Sequence, residues 1–184
     1  MPSAGYFTAS DRVVLRRAAY LAEGLTQRYF DLGPDMWQRN PYALLTRKEV
    51  GRTLFHDDAF ANIVRIEHPH RYHGKQSAKP MYGVVLHDPN MLMALLRSTR
   101  HDLWGLGLFV LTHELIHIVR FREFDVDFFA SGAGRDEEER VVYSMTRDIL
   151  SGITAIEHVF ELYGLQRNEA SLDNTHGGGE YAHL

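Results

Sequence analysis

The most apolar stretch of the chain, Leu103 to Val119, constrains the fold most tightly, because it carries two histidines and a glutamate. Apolar surface is driven into a core at roughly 25 cal/mol per Å². His113, Glu114 and His117 must go in with it, and polar or ionised groups buried without partners are costly unless paired or metallated. On a helix, positions four apart share a face, so His113 and His117 can offer their imidazoles to one ion. Whatever else the chain does, it must bring something to meet that face.

The rest of the composition narrows the setting. With 184 residues, 45% of them apolar and 24% charged, the chain has the make-up of one ordinary globular domain. It has no cysteine, which excludes a disulfide framework and any thiolate metal site. A net charge of −4, with both signs interspersed, gives no electrostatic footprint for nucleic acid. The N-terminus shows no basic start leading into an apolar run, so the expectation is a cytoplasmic protein without a secretory signal. Leu103 to Val119 is shorter than the ~20 residues of a membrane span and contains three polar groups, so no membrane partner is expected. Eleven histidines are many for this length, and histidine is the commonest metal ligand.

Hydrophobic spacing and caps divide the chain into helices around a small β unit. Residues 10–31 read as a helix with Ser10 and Asp11 as cap candidates and Val14, Ala18, Leu21 and Leu25 on its apolar face. Thr46 and Glu49 match a capping box opening a helix to about Phe55. The β-branched runs 62–66 and 82–86 suit short strands, joined by a loop over 67–79 that carries His68, His70 and His73. Asp88-Pro89 starts a helix to about Thr99. A further helix spans about 102–122, and one long helix runs from Asp136 to Tyr163, where Gly164 stops it. The predicted fold is α+β and mostly helical, a single domain over residues 1–167, with a Gly-rich, loose tail over 168–184 that holds His176 and His183.

His113-Glu114-Leu115-Ile116-His117 follows the pattern H-E-x-x-H. Its spacing has a chemical reason. The two imidazoles hold a metal such as zinc, which acidifies a water, and the intervening carboxylate lies where it can take that water's proton during attack on a carbonyl.

This segment resembles the active-site helix of the zincin metallopeptidases. The resemblance covers about 15 residues and the compatible order of elements around them. It implies a zincin-like domain with a small sheet and an active-site helix packed on a second long helix. It further implies Zn2+ held by His113 and His117, Glu114 as general base, and a peptide or protein substrate.

A catalytic zinc takes a third protein ligand. The metzincin continuation H-x-x-G-x-x-H is broken here by Arg120 and Glu123. Without the glycine the helix should continue, turning Glu123 to another face. The gluzincin arrangement, with a glutamate about 20 residues on, points to Glu137, Glu138 and Glu139. Acidic residues also suit a helix N-terminus without any metal, and Asp136 with Glu139 matches a capping box. Helical phase, taken from Val142, Met145, Ile149, Ile153 and Ile156, sets Glu138 nearest the buried direction. Glu139 is turned aside but shares a face with Tyr143 and Thr146, and Glu137 points outwards. Glu138 is preferred over Glu139. Tyr143 is a candidate to hydrogen-bond an oxyanion, as in related sites, or is core packing. The run 80–85 reads either as an edge strand that would hold an extended peptide or as a plain structural strand. Two other readings of the motif are a metal-binding domain without turnover and a helical di-iron carboxylate protein, which would need a second Glu-x-x-His.

Overall fold

In the computed structural model, which describes residues 5–50, 59–66, 81–97, 102–160 and 182–183, helices dominate a small mixed sheet. The order is α1 (Ala9–Tyr29), α2 (Met36–Arg39), β1 (Tyr42–Thr46), α3 (Arg47–Val50), β2 (Ala61–Ile66) and β3 (Met81–Leu86). Then come α4 (Asp88–Arg97), α5 (Leu103–Glu123), α6 (Ala133–Leu150), a 3-10 turn at Thr154–Ile156, and a two-residue strand β4 (Ala182–His183). This is the mostly helical α+β class implied by the sequence. The predicted histidine loop 67–79, the extension of α3 towards Phe55, and His176 lie outside the described residues.

Helix α5 is the central element. Asp102 caps it by accepting the backbone N–H of Gly105 at 2.6 Å. Fourteen of its 21 residues are buried, His113 and His117 among them. At that length it meets the size and hydropathy of a membrane span, which the shorter apolar stretch did not, but 78% of the relevant window is buried inside the protein. It packs against both α1 and α6.

The N-cap of α1 is Thr8 rather than Ser10 or Asp11. The Thr8 hydroxyl accepts the Asp11 N–H, while the Asp11 carboxylate accepts the Thr8 N–H at 2.8 Å. This capping box satisfies two orphan donors at once. The buried face is Leu15, Ala18, Ala19, Ala22 and Thr26, so Leu21, expected inside, is 37% exposed. Small residues win that face because α5 comes very close. A Cβ on Gly107 would stand 2.7 Å from Leu15 Cδ2.

The sheet order is β1-β3-β2-β4. β1 runs parallel to β3 in register Tyr42↔Tyr82, β2 runs antiparallel to it in register Ala61↔Leu86, and β4 lies parallel to β2 with Val64↔Ala182. β3 is therefore central, and the reading of 80–85 as an edge strand is corrected. Val84, Val85 and Leu86 are buried on both faces of the sheet, as a central strand requires. Ala182–His183 are paired on β2 rather than loose, and the rest of 168–184 falls outside the described residues except for those two.

One expected cap forms and one does not. The Thr46 and Glu49 box forms, with the Glu49 carboxylate accepting the Thr46 N–H at 2.8 Å. Asp88, expected to cap its own helix, instead accepts the N–H of Arg47 at the start of α3 and of Phe7 ahead of α1. It ties three segments together from a fully buried position.

The predicted long final helix is interrupted. α6 starts at Ala133, a turn before Asp136, and ends at Leu150, where Gly152 takes φ +84°. Glycine adopts that left-handed conformation without a steric penalty, and Ser151 supports the break by donating to the Asp148 carbonyl at 2.8 Å.

Gly107→Val should destabilise the fold by about 1–3 kcal/mol, because the close α1–α5 approach leaves no room for a branched side chain. Urea unfolding measures it, and an unchanged midpoint would mean that α1 sits further from α5 than the structure shows.

Candidate metal centre

His113 and His117, one turn apart on α5, present their rings side by side with centroids 5.0 Å apart and planes at 76°. Two aromatic side chains fix them from within the same helix. Phe109 stacks on His113 at 25°, and Phe121 stacks on His117 at 20°. Each pair is four residues apart, the spacing that brings helical side chains into contact.

Helix α6 supplies what this face requires. The Glu139 carboxylate lies between the rings, with Oε2 at 3.3 Å from His113 Nε2 and Oε1 at 3.3 Å from His117 Nε2. Ligand atoms of the three residues all lie within 4.8 Å of one another, so the group could hold a metal ion. The donor chemistry, two imidazoles and a carboxylate, fits zinc. Bonds of ~2.0–2.1 Å to a tetrahedral ion put neighbouring donors about 3.3 Å apart.

Glu138 is the more buried neighbour, as helical phase implies, yet its carboxylate meets a different partner. Arg120 donates from Nε and Nη2 to Glu138 Oε1 and Oε2, both at 2.7 Å. The observed buried positions on α6 are Glu138, Val142, Thr146 and Leu150. At ~100° per residue their mean direction lies about 40° closer to Glu139 than the one drawn from Val142, Met145, Ile149, Ile153 and Ile156. That rotation brings Glu139 to the histidines. It also shows that Glu139 is not a cap for Asp136, since α6 starts a turn earlier and places the acidic triplet beyond its first turn. Glu137 points outwards and pairs with Arg140.

Thr146, unassigned beyond sharing a face with Glu139, also serves the site. Its hydroxyl donates to the Val142 carbonyl at 2.7 Å and lies 3.4 Å from His113 Nδ1. An oxygen whose proton is already committed can only accept from that nitrogen, which leaves Nε2 as the outward-facing atom of His113. Arg120, in the sequence a break in the metzincin pattern, is a guanidinium one turn beyond His117 in an apolar helix, and such a group needs a carboxylate partner. Glu123 is exposed at the end of α5 and lines a separate cavity with Leu32, Gly33, Met36, Arg39 and Asn40. Tyr143 packs its ring edge-on against Phe109 and Phe160, as a core residue would.

The charges respond to this crowding. Burial works against protonation of His117, but Glu139 and Glu138, with Glu114 adding, hold its pKa up at about 9. Burial would raise Glu139, but the two histidines keep it well below the usual carboxyl value. Glu138 is likewise opposed by burial and held down to about 2 by His117 and Arg120. Glu114 goes the other way: burial raises it, the histidines and Arg135 oppose the rise, and Glu139 adds to it.

In the metal-free protein the His117–Glu139 contact should therefore stabilise the fold fully between the unfolded carboxyl value of 4.5 and the unfolded imidazole value of 6.5. It is lost as pH rises through about 9, where the folded imidazolium deprotonates, and as pH falls through the lowered value of Glu139. With chelator present, the stability difference between wild type and His117→Gln should shrink steadily from pH 6.5 to 9. A difference that stays flat over that range would contradict the ion pair.

No protein-family model, curated protein or solved structure matches this chain, so its family is not assigned by likeness, and the functional reading rests on the geometry of His113, His117 and Glu139.

Proposed function

We propose that the protein is a zinc-dependent hydrolase, a small metallopeptidase of zincin type with the gluzincin ligand set. The observation that carries the reading is the convergence of His113, His117 and Glu139 at 3.3 Å spacings from two packed helices, with Glu114 beside them on α5. His113 and His117 would hold the zinc through Nε2, and Glu139 through its carboxylate. Zinc bound there supplies Lewis acidity and makes a water molecule easier to deprotonate.

Glu114 is the base of this scheme. Its raised pKa brings a carboxyl closer to the operating pH, where a group can take a proton and return it to the departing amine. Glu139 has the complementary property. In the metal-free protein the two histidines hold it anionic, the form in which a carboxylate ligates. Tyr143, one turn after Glu139, is assigned to the support of Phe109, which stacks on His113, rather than to the oxyanion.

Glu138 is not a ligand in this reading, because both of its oxygens are held by Arg120. The di-iron alternative is less favoured. The described residues bring one Glu-x-x-His to the site, and the carboxylate that joins it comes without a second histidine.

Purified protein should carry about one zinc per chain. Glu114→Gln should keep that zinc and lose on the order of 10²–10⁴-fold in cleavage of an unstructured polypeptide such as denatured casein. Glu139→Gln should lose the zinc itself. Two irons per chain would sink the proposal. Equal inertness of wild type and Glu114→Gln on a broad peptide library would reduce it to a metal-binding domain without turnover.

A further inference from the structure

Glu138 lies beside the centre without serving it directly, and its environment is too constrained for a passive surface acid. The Arg120 guanidinium grips it with two parallel hydrogen bonds of 2.7 Å, and the two side chains are 16% and 8% exposed. A bidentate fork fixes the plane of a carboxylate as well as its position. Held this way, Glu138 Oε1 stands 3.5 Å from His117 Nδ1. His117 thus lies between two carboxylates, with Nε2 towards Glu139 and Nδ1 towards Glu138.

We propose that Glu138, clamped by Arg120, is the positioning residue of His117: it receives the Nδ1 proton and so presents Nε2 as the metal-binding atom. The assignment rests on the metal reading above and says which neighbouring residues make that reading work. A neutral imidazole carries one ring proton, and its location follows from the acceptor that the other nitrogen meets. Once Nε2 ligates, the proton must reside on Nδ1, a buried atom that makes no hydrogen bond in this arrangement, and Glu138 Oε1 at 3.5 Å is the acceptor placed to take it. The same logic recurs at His113, whose Nδ1 faces Thr146 Oγ1 at 3.4 Å. α6 therefore contributes one ligand at position 139 and an orienting acceptor for each histidine at 138 and 146.

Arg120 explains how two adjacent glutamates can divide these tasks. A free carboxylate at 138 would repel Glu139 and compete for the ion. With both oxygens engaged by one guanidinium, Glu138 keeps its charge, stays off the metal, and retains an oxygen edge for His117. Carboxylates behind ligating histidines raise ligand basicity, and their loss typically weakens metal binding 10–100-fold.

The test compares wild type with Glu138→Gln and Arg120→Lys. Zinc affinity is measured by competition with a chromophoric chelator, and the ring nitrogens of 15N-histidine-labelled, zinc-loaded protein by NMR. Glu138→Gln should bind zinc about 10–100-fold more weakly while keeping the far-UV circular dichroism of wild type. Its His117 Nδ1–H resonance should lose the downfield shift of a proton shared with a carboxylate. Arg120→Lys, which keeps the charge but not the fork, should fall between the two.

A pair that merely staples α5 to α6 would lower the melting temperature of metal-free and zinc-loaded protein alike. Affinity within about twofold of wild type, with the Nδ1 signal unmoved, would then overturn the assignment. If Glu138→Gln does not fold, Arg120→Lys decides: an unmoved His117 signal there overturns it equally. Failure of wild type to bind zinc removes the metal reading itself, whereas zinc-binding wild type with an unaffected Glu138→Gln removes only the role of Glu138.

Discussion

Everything in this structure is arranged around burying α5 without leaving its polar groups stranded. The helix is apolar enough to form the centre of the domain, and it takes His113, His117 and Arg120 into or beside the core. Buried charges are tolerated only when paired and hydrogen-bonded. α6 meets that demand with three side chains over about two turns: Glu139 between the imidazoles, Glu138 on the arginine, and Thr146 behind His113. Removing any one of these would leave its partner buried and uncompensated, a larger penalty than the pair itself contributes.

The side of α5 that meets α1 has the contrary character. α1 offers alanines and Leu15, so that the two backbones approach closely at Gly107. α5 is thereby held by close packing on one face and by directional polar contacts on the other. Phe109 and Phe121 fix the histidine rings from one turn either side. Phe121 also packs on Phe128 and Tyr82, which joins the site to β3. A constellation placed on two helices and wedged by aromatic stacking keeps its geometry better than one carried on loops.

Much of this was legible in the residues. The H-E-x-x-H spacing located the two histidines, the downstream acidic triplet located the helix that meets them, and cap and strand signals placed most elements. The misreadings share one physical origin: each followed local chemistry where a tertiary contact prevailed. Asp88 looks like the cap of its own helix, but its carboxylate bridges α3 and the segment before α1. The run 80–85 suits an edge strand as well as a plain structural one, and β3 (Met81–Leu86) has a strand on each side. Asp136 and Glu139 fit a capping box, but Gly132 precedes a helix that starts a turn earlier. The preference for Glu138 came from weighting Met145 and Ile149, whereas Thr146 and Leu150 turn inwards and rotate the buried face.

The sequence by itself determined that His113, Glu114 and His117 share one stretch of buried helix and that an acidic cluster some twenty residues later stands ready to meet them. Those facts depend on spacing along one helix, and helical geometry is the same in any fold. Which glutamate meets the histidines was decided only by the tertiary structure. Glu138 and Glu139 differ by ~100° about the helix axis, and the choice between them turns on how α6 rolls against α5 and on Arg120 reaching across to take one of them. No periodicity within α6 contains that information, because it belongs to the partner helix.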